Sequence, residues 1–384
     1  MIKSYLLAPG PTPVPPEVLT AMALPVIHHR TPQFGDVLAE VQEGLRALFG
    51  TTQDVLVLAA SGTGAMEGSV TNLLSPGDEA VVVNGGKFGE RWTKICQAYG
   101  VVPHEVKVEW GRAVDPEAVR AALDAHPKAR ALYVQASETS TCALHPVAAL
   151  AEITRTRNVL LVVDGITAVG VVELPMDRLG IDVLLTGSQK ALMLPPGLAF
   201  AALSPRAWAA TETAKLPRFY FDFRRERKGV HERSTAWTPA ISLIQGLRVA
   251  LRMILVDEGL PAVYARHERL ARATRAAATA LGLRLLAPDA PSPAATAVHL
   301  PDGVDGSALF RYLRDRMHVT FAGGQDQLKG KIIRLAHLGH VGAFDVVTGI
   351  AALELALHRF GATVELGRGV GAAEAVLAEG LPVR

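Results

Sequence analysis

Residues 181–203 read IDVLLTGSQKALMLPPGLAFAAL, an apolar run in which Lys190 is the single cation. DVLLTG, from Asp182, and LAFAAL, from Leu198, have the length and the Val/Leu/Ala content of buried strands. Ser188, Gln189 and Lys190 therefore follow directly on a strand end. An ammonium without water or a partner is costly to bury. Either Lys190 reaches the surface, or its amine is used chemically.

Working outward, further strand candidates are VLVLAA from Val55, AVVV from Ala80, ARALYVQ from Ala129 and NVLLVVD from Asn158. Between them lie helical patterns such as DVLAEVQEGLRALF, where Val37, Val41, Leu45 and Leu48 share one face. Near-continuous apolar strands alternating with amphipathic helices predict an α/β fold with a mostly parallel sheet covered on both faces. The pattern changes after a helix beginning near Pro239. A long Ala/Arg-rich helix from about Pro261 to Leu281 precedes the strand candidates RLLA and ATAVHL and the helix GSALFRYLRDR. The strands HVTFA and KIIRLA and a closing helix from about Ala343 complete a smaller α+β unit. The tail GRGVGAAEAVLAEGLPVR reads as a loop with a short helix, or as partly disordered.

With 384 residues the chain is long for a single core, which suggests two domains. A hydrophobic share of 49% and a charged share of 20% describe a well-packed soluble chain. The net charge of +2 gives no sign of a nucleic-acid partner or a polybasic membrane anchor. The basic cluster Arg224, Arg225, Arg227 and Lys228 reads as a solvated loop. Cys96 and Cys142 offer neither a disulfide framework nor zinc spacing, so buried free thiols are expected. The adjacent His28 and His29 point apart on any regular element, and no metal site is expected. MIKSYLLAPGPTP meets prolines too soon for a signal peptide, no apolar run is long enough to span a membrane, and the terminal PVR matches no address motif. A cytoplasmic location follows as an expectation.

In NVLLVVDGITAVG a strand ends at Asp164, 26 residues before Lys190, which itself lies just past a strand end. Ligands of open α/β sheets bind beyond the carboxyl ends of the strands. Adjacent parallel strands would bring Asp164 and Lys190 to one crevice, as a plain salt bridge or as a pair with a chemical task. Pyridoxal 5'-phosphate chemistry needs both groups: an amine to hold the aldehyde and shuttle a proton, and a carboxylate to keep the ring nitrogen protonated. The strand VLVLAA runs into SGTGAMEGSVTNLL, a Gly-rich turn opening a helix, which alone reads as an ordinary turn with a capping Ser or Thr and, beside Asp164 and Lys190, suits a phosphate. It is neither a nucleotide P-loop nor a dinucleotide fingerprint.

The ordered motifs SGTG, VVDG and TGSQKAL followed by PPG resemble the class V aminotransferases of fold type I, nearest to the alanine–glyoxylate and serine–pyruvate branch. LLAPGPTPVPPEVL, PAISLIQGLRVAL and GKIIRLAHLG extend the resemblance over roughly residues 5 to 360. It implies a large domain over residues 15–257 with a mostly parallel seven-stranded sheet. A smaller α+β domain would comprise residues 1–14 and 258–384. By the same resemblance Lys190 is the Schiff-base lysine, Asp164 the ring-nitrogen partner, and Gln189, Thr63, Gly64 and Ala65 belong to the phosphate site. Ala65 stands where some members carry histidine. Phe88 falls where an aromatic ring stacks on the cofactor, and Thr139 where a hydroxyl reaches the ring oxygen. Arg334 matches the arginine that forks the substrate carboxylate, and Gly10 lines the substrate pocket. Thr235 and Thr238, in STAWTPA, stand where the chain crosses a homodimer interface to the partner's cofactor phosphate. The implied reaction moves an amino group between a small amino acid and glyoxylate or pyruvate. Aspartate or phosphoserine transamination, or a lyase or desulfurase reaction, are the alternatives within the fold.

Overall fold

The computed structural model describes residues 3–380; residues 1–2 and 381–384, with the terminal PVR, lie outside the described residues. Seven strands form the main sheet: β1 (Val55–Leu58), β2 (Glu79–Asn84), β3 (Val102–Lys107), β4 (Ala129–Gln135), β5 (Leu160–Asp164), β6 (Val183–Gly187) and β7 (Ala199–Leu203). Their spatial order is β1-β7-β6-β5-β4-β2-β3. Only β7 runs antiparallel to its neighbours, β1 and β6. The mostly parallel sheet is as expected, and six of its strands coincide with the apolar runs read from the sequence. Strand β3 was not foreseen. Its residues Val102, Pro103, His104 and Glu105 lack an apolar run, and a proline is tolerated there because β3 is an edge.

Strand residues alternate between two cores, as a period of two requires. Val81, Val83, Leu132, Val134, Leu161, Val163 and Leu184 join the core on one face, with helices α1 (Pro32–Phe49) and α4 (Pro116–Ala125). Ala80, Val82, Ala131, Tyr133, Val162 and Leu185 join the other, with helices α2 (Gly62–Leu73) and α3 (Lys87–Ala98). Helix α1 is bounded as its sequence demands. Thr31 caps its N-terminus by accepting from the Phe34 N–H, Pro32 fills the first turn, and Gly50 ends it with φ of 60°.

The smaller unit holds a separate core and a three-stranded antiparallel sheet of β8 (Ala295–His299), β9 (Ala322–Gly323) and β10 (Ile332–Ala336), in the order β8-β10-β9. Two of its expected strands differ. RLLA makes a single bridge, Leu285 to Val298, and HVTFA is broken at Phe321. Val319–Thr320 pairs instead with Tyr5–Leu6, and Leu7 joins this core. The tail contains an ordered helix, Arg368–Ala378, and the basic cluster lies on a helix, Phe223–His231, rather than a loop. Asp222 caps that helix through the Arg224 N–H, and its basic side chains face mostly outward while Phe223 and Glu226 turn in. No helix among the described residues is long and apolar enough to cross a membrane.

Candidate active site

Strands β5 and β6 are adjacent and parallel, with Asp164 opposite Leu185. Asp164 is the last residue of β5, and Lys190 lies three residues past the end of β6. Both are buried, at 4% and 8% exposure. Burial raises the Asp164 carboxyl to about 7, against which the Ile166 N–H, donating to Oδ1 at 2.9 Å, works. Burial, with the Arg334 charge second, lowers the Lys190 amine to about 8. Each group is poised near neutral pH because its surroundings oppose its charge.

Three chain segments close around the lysine. Residues 9–12 cross over it: Nζ donates to the Pro9 carbonyl, Thr12 Oγ1 donates to the Lys190 carbonyl at 2.9 Å, and the Thr12 N–H donates to the Gln189 carbonyl. A Cβ at Gly10 would collide with the Lys190 side chain, and Gly10 has φ of +119°. Only glycine fits there. From the small unit, β10 brings Arg334, 7% exposed, which donates from Nη1 to the Thr139 carbonyl at 2.6 Å and from Nε and Nη2 to the Gly323 carbonyl. A guanidinium has five N–H groups. Nη1 and Nη2 are therefore each left with one uncommitted N–H. Thr139 lies in the loop after β4, its hydroxyl 2.6 Å from that of Thr167, which donates in turn to the Ser137 carbonyl.

The expected phosphate turn is the start of α2. A Cβ at Gly62 would strike Ile166, and one at Gly64 would strike Ala60 and Phe221. The Gln189 Oε1 atom is buried without a partner, and a Cβ at Gly187 would meet both it and the Gly62 nitrogen. An orphaned amide beside a glycine-bearing helix N-terminus fits a phosphate that accepts from the helix and from a Gln189 amide turned toward it. Ala65 is fully buried in the sheet-face core, so anything it offers an anion comes from its main chain. Phe88, half-buried, opens α3, where Arg91 lies over its ring at 4.7 Å and donates to Thr63 Oγ1 at 2.8 Å. Arg91 thus ties the aromatic candidate to the phosphate turn.

Glu138 was not singled out by the sequence, yet its fully buried carboxylate accepts from the Phe88 and Gly89 N–H groups and from the Ser140 N–H and hydroxyl. It fixes the start of α3 against the Thr139 loop. The one signal was an acid set among small hydroxyl residues in ASETST. Thr235 and Thr238 lie apart from this cluster. Thr235 is buried with its hydroxyl donated to the Trp237 carbonyl, and Thr238 is exposed.

Residues 4–333 match the family described as Aminotransferase class-V. The chain is 43% identical over 380 residues to a protein of Synechococcus named soluble hydrogenase, small subunit, covering 98% of each chain. It is 37% identical to the L-aspartate–glyoxylate aminotransferase of Paracoccus denitrificans, over 96% of this chain and 95% of that one. Its fold superposes on the ureidoglycine–glyoxylate aminotransferase of Bacillus subtilis with a TM-score of 0.94 at 30% identity, covering 98% and 99% of the two chains.

Proposed function

The chain belongs to the class-V aminotransferase family, and on that premise we propose that it moves an amino group between alanine or serine and glyoxylate or pyruvate, with pyridoxal 5'-phosphate as cofactor. The observation that carries the small-substrate reading is the disposition of the two guanidiniums whose charge reaches Lys190. Arg334 retains two N–H groups on its terminal nitrogens for an α-carboxylate, while Arg91 donates to Thr63 Oγ1 at the phosphate turn, where its charge would be matched by the cofactor phosphate rather than by a second substrate carboxylate. A dicarboxylic substrate would need a second free cation.

The residues fit the cofactor and divide its parts among them. Asp164 would hold the ring nitrogen, Phe88 one ring face, Thr139 the ring oxygen, and Gln189, Thr63 and the main chain at Gly64 and Ala65 the phosphate. When bound, pyridoxal 5'-phosphate supplies an aldehyde for the amino group and a ring that stores the charge left by a departing α-proton. Lys190 moves that proton at Nζ. With a pKa of about 8 the amine is neutral in about one molecule in ten at pH 7, against about one in three thousand at 10.5. Arg334 orients the substrate carboxylate, and residues 9–12 help shield the amine from water.

A homodimer in which Thr235 and Thr238 serve the partner's phosphate site completes the reading, in a cytoplasmic enzyme. The exposed rings of Phe219 and Tyr220, packed with Trp237 beside Thr238, support a covered face there. A desulfurase needs a reactive loop thiol, and a hydrogenase cluster needs thiolates. Burial pushes both Cys96 and Cys142 up to about 12. The test is a half-reaction panel: the cofactor-loaded protein mixed separately with alanine, serine, aspartate and phosphoserine, followed by cofactor absorbance. Conversion by alanine or serine is expected. Conversion by aspartate or phosphoserine alone, or an elimination product without amino transfer, overturns the substrate assignment.

A further inference from the structure

A surface groove of about 910 Å³ contains neither Lys190 nor Asp164; it runs along the edge strand β3. His104 and His126 both line it. In the parallel register Val81 lies opposite His104, so His104 shares the sheet face of Val81 and Glu79 at the rim of β2. Helix α4 packs on that same face through Val119 and Leu123 and ends at His126, whose N–H donates to the Ala122 carbonyl and whose carbonyl accepts from the Ala129 N–H. Three separate elements thus deliver one side chain each to a single point.

Their geometry is close to a ligand set. The His104 Nε2 and Glu79 Oε2 atoms are 2.9 Å apart, and the His104 and His126 rings stack with centroids at 3.5 Å. One ligand atom from each of Glu79, His104 and His126 lies within 4.8 Å of the others. Zinc bonds of about 2.0–2.1 Å place tetrahedral ligands about 3.4 Å apart; because the two rings lie nearly parallel, at 10°, one imidazole must turn about its χ2 to aim its in-plane lone pair at a shared ion. The His104 and Glu79 side chains are 24% and 25% exposed, which shields the ligands yet leaves the groove as an entry path and room for a water as fourth ligand.

We propose that Glu79, His104 and His126 bind a divalent transition-metal ion of the zinc class, which clips the edge strand β3 and the end of α4 to β2. Two imidazoles and one carboxylate favour zinc, nickel or copper over magnesium or calcium. The positions 79, 104 and 126 are far apart in sequence and form no linear motif, so the expectation of no metal had nothing local to contradict it. The ion is remote from Lys190 and takes no part in amino transfer.

The test uses the holoenzyme, treated with chelator and then dialysed against zinc chloride in the presence of excess magnesium chloride, with bound metal measured by elemental analysis. One equivalent of zinc per chain is expected for the wild type. His104→Ala and His126→Asn should each weaken binding at least tenfold, with the cofactor band and transamination rate unchanged as the check on folding. The proposal is overturned if the wild type retains no zinc. It is equally overturned if both variants retain as much as the wild type, which would place the ion elsewhere, or if magnesium displaces it.

Discussion

Lys190→Met keeps nearly the length of the side chain and removes its charge. In the cofactor-free protein, burial lowers the amine from 10.5 to about 8. At about 1.4 kcal/mol per unit, the buried ammonium costs the fold about 3 kcal/mol at pH 7. The folded pKa lies below the unfolded one, so the penalty is complete below pH 8. It fades as pH rises from about 8 to 10.5, and above that both states are neutral. Methionine also gives up the hydrogen bond to the Pro9 carbonyl, worth about 1 kcal/mol. Cofactor-free Lys190→Met should therefore be more stable than wild type by about 2 kcal/mol at pH 7 and less stable by about 1 kcal/mol near pH 10.5. Equilibrium urea unfolding across this range, at one fixed protein concentration, measures both. A difference that does not vary with pH, or a variant less stable at pH 7, refutes the claim that burial perturbs this amine.

Arg334→Lys cannot present two N–H groups in one plane, so kcat/KM for the amino donor should fall about 100-fold, mostly through KM. Steady-state kinetics with the donor varied checks this, and an effect confined to kcat would assign Arg334 a different task. Gly10→Ala must place a Cβ into the Lys190 side chain from a left-handed backbone position. Cofactor affinity, read by the visible band during titration, should drop at least tenfold with the circular dichroism unchanged, because Gly10 lies outside every helix and strand. Wild-type affinity would mean that residues 9–12 do not sit over the lysine as described.

Much of the architecture was legible because buried parallel strands write themselves as Val/Leu/Ala runs, and glycine, proline and capping residues punctuate them. Asp164 and Lys190 were legible for a different reason: each stands just past such a run, and strand adjacency does the rest. What stayed hidden depends on chain crossings that local sequence does not encode. Strand β3 reads as polar because it is an edge, and Glu138 looks ordinary until α3 is seen to start against it. The tie of Arg91 to Thr63 and Phe88 joins three residues on two helices. Thr12 and Pro9 gain their meaning only from the lysine beneath them.

The path of residues 5–12 has a consequence for how the enzyme is made. Tyr5 donates to the His318 carbonyl, Leu7 donates to the Thr320 carbonyl and accepts from the Ala336 N–H, and Pro9 then accepts from Lys190. During synthesis this segment leaves the ribosome long before residues 318–336 exist. Contacts of such sequence separation form late. The seven-stranded sheet, complete at Leu203, can assemble while the lysine is still uncovered. The Lys190 amine is enclosed only after β10 has been translated, so a chain stalled before Ala336 would hold an exposed, ordinary lysine at the end of a finished sheet.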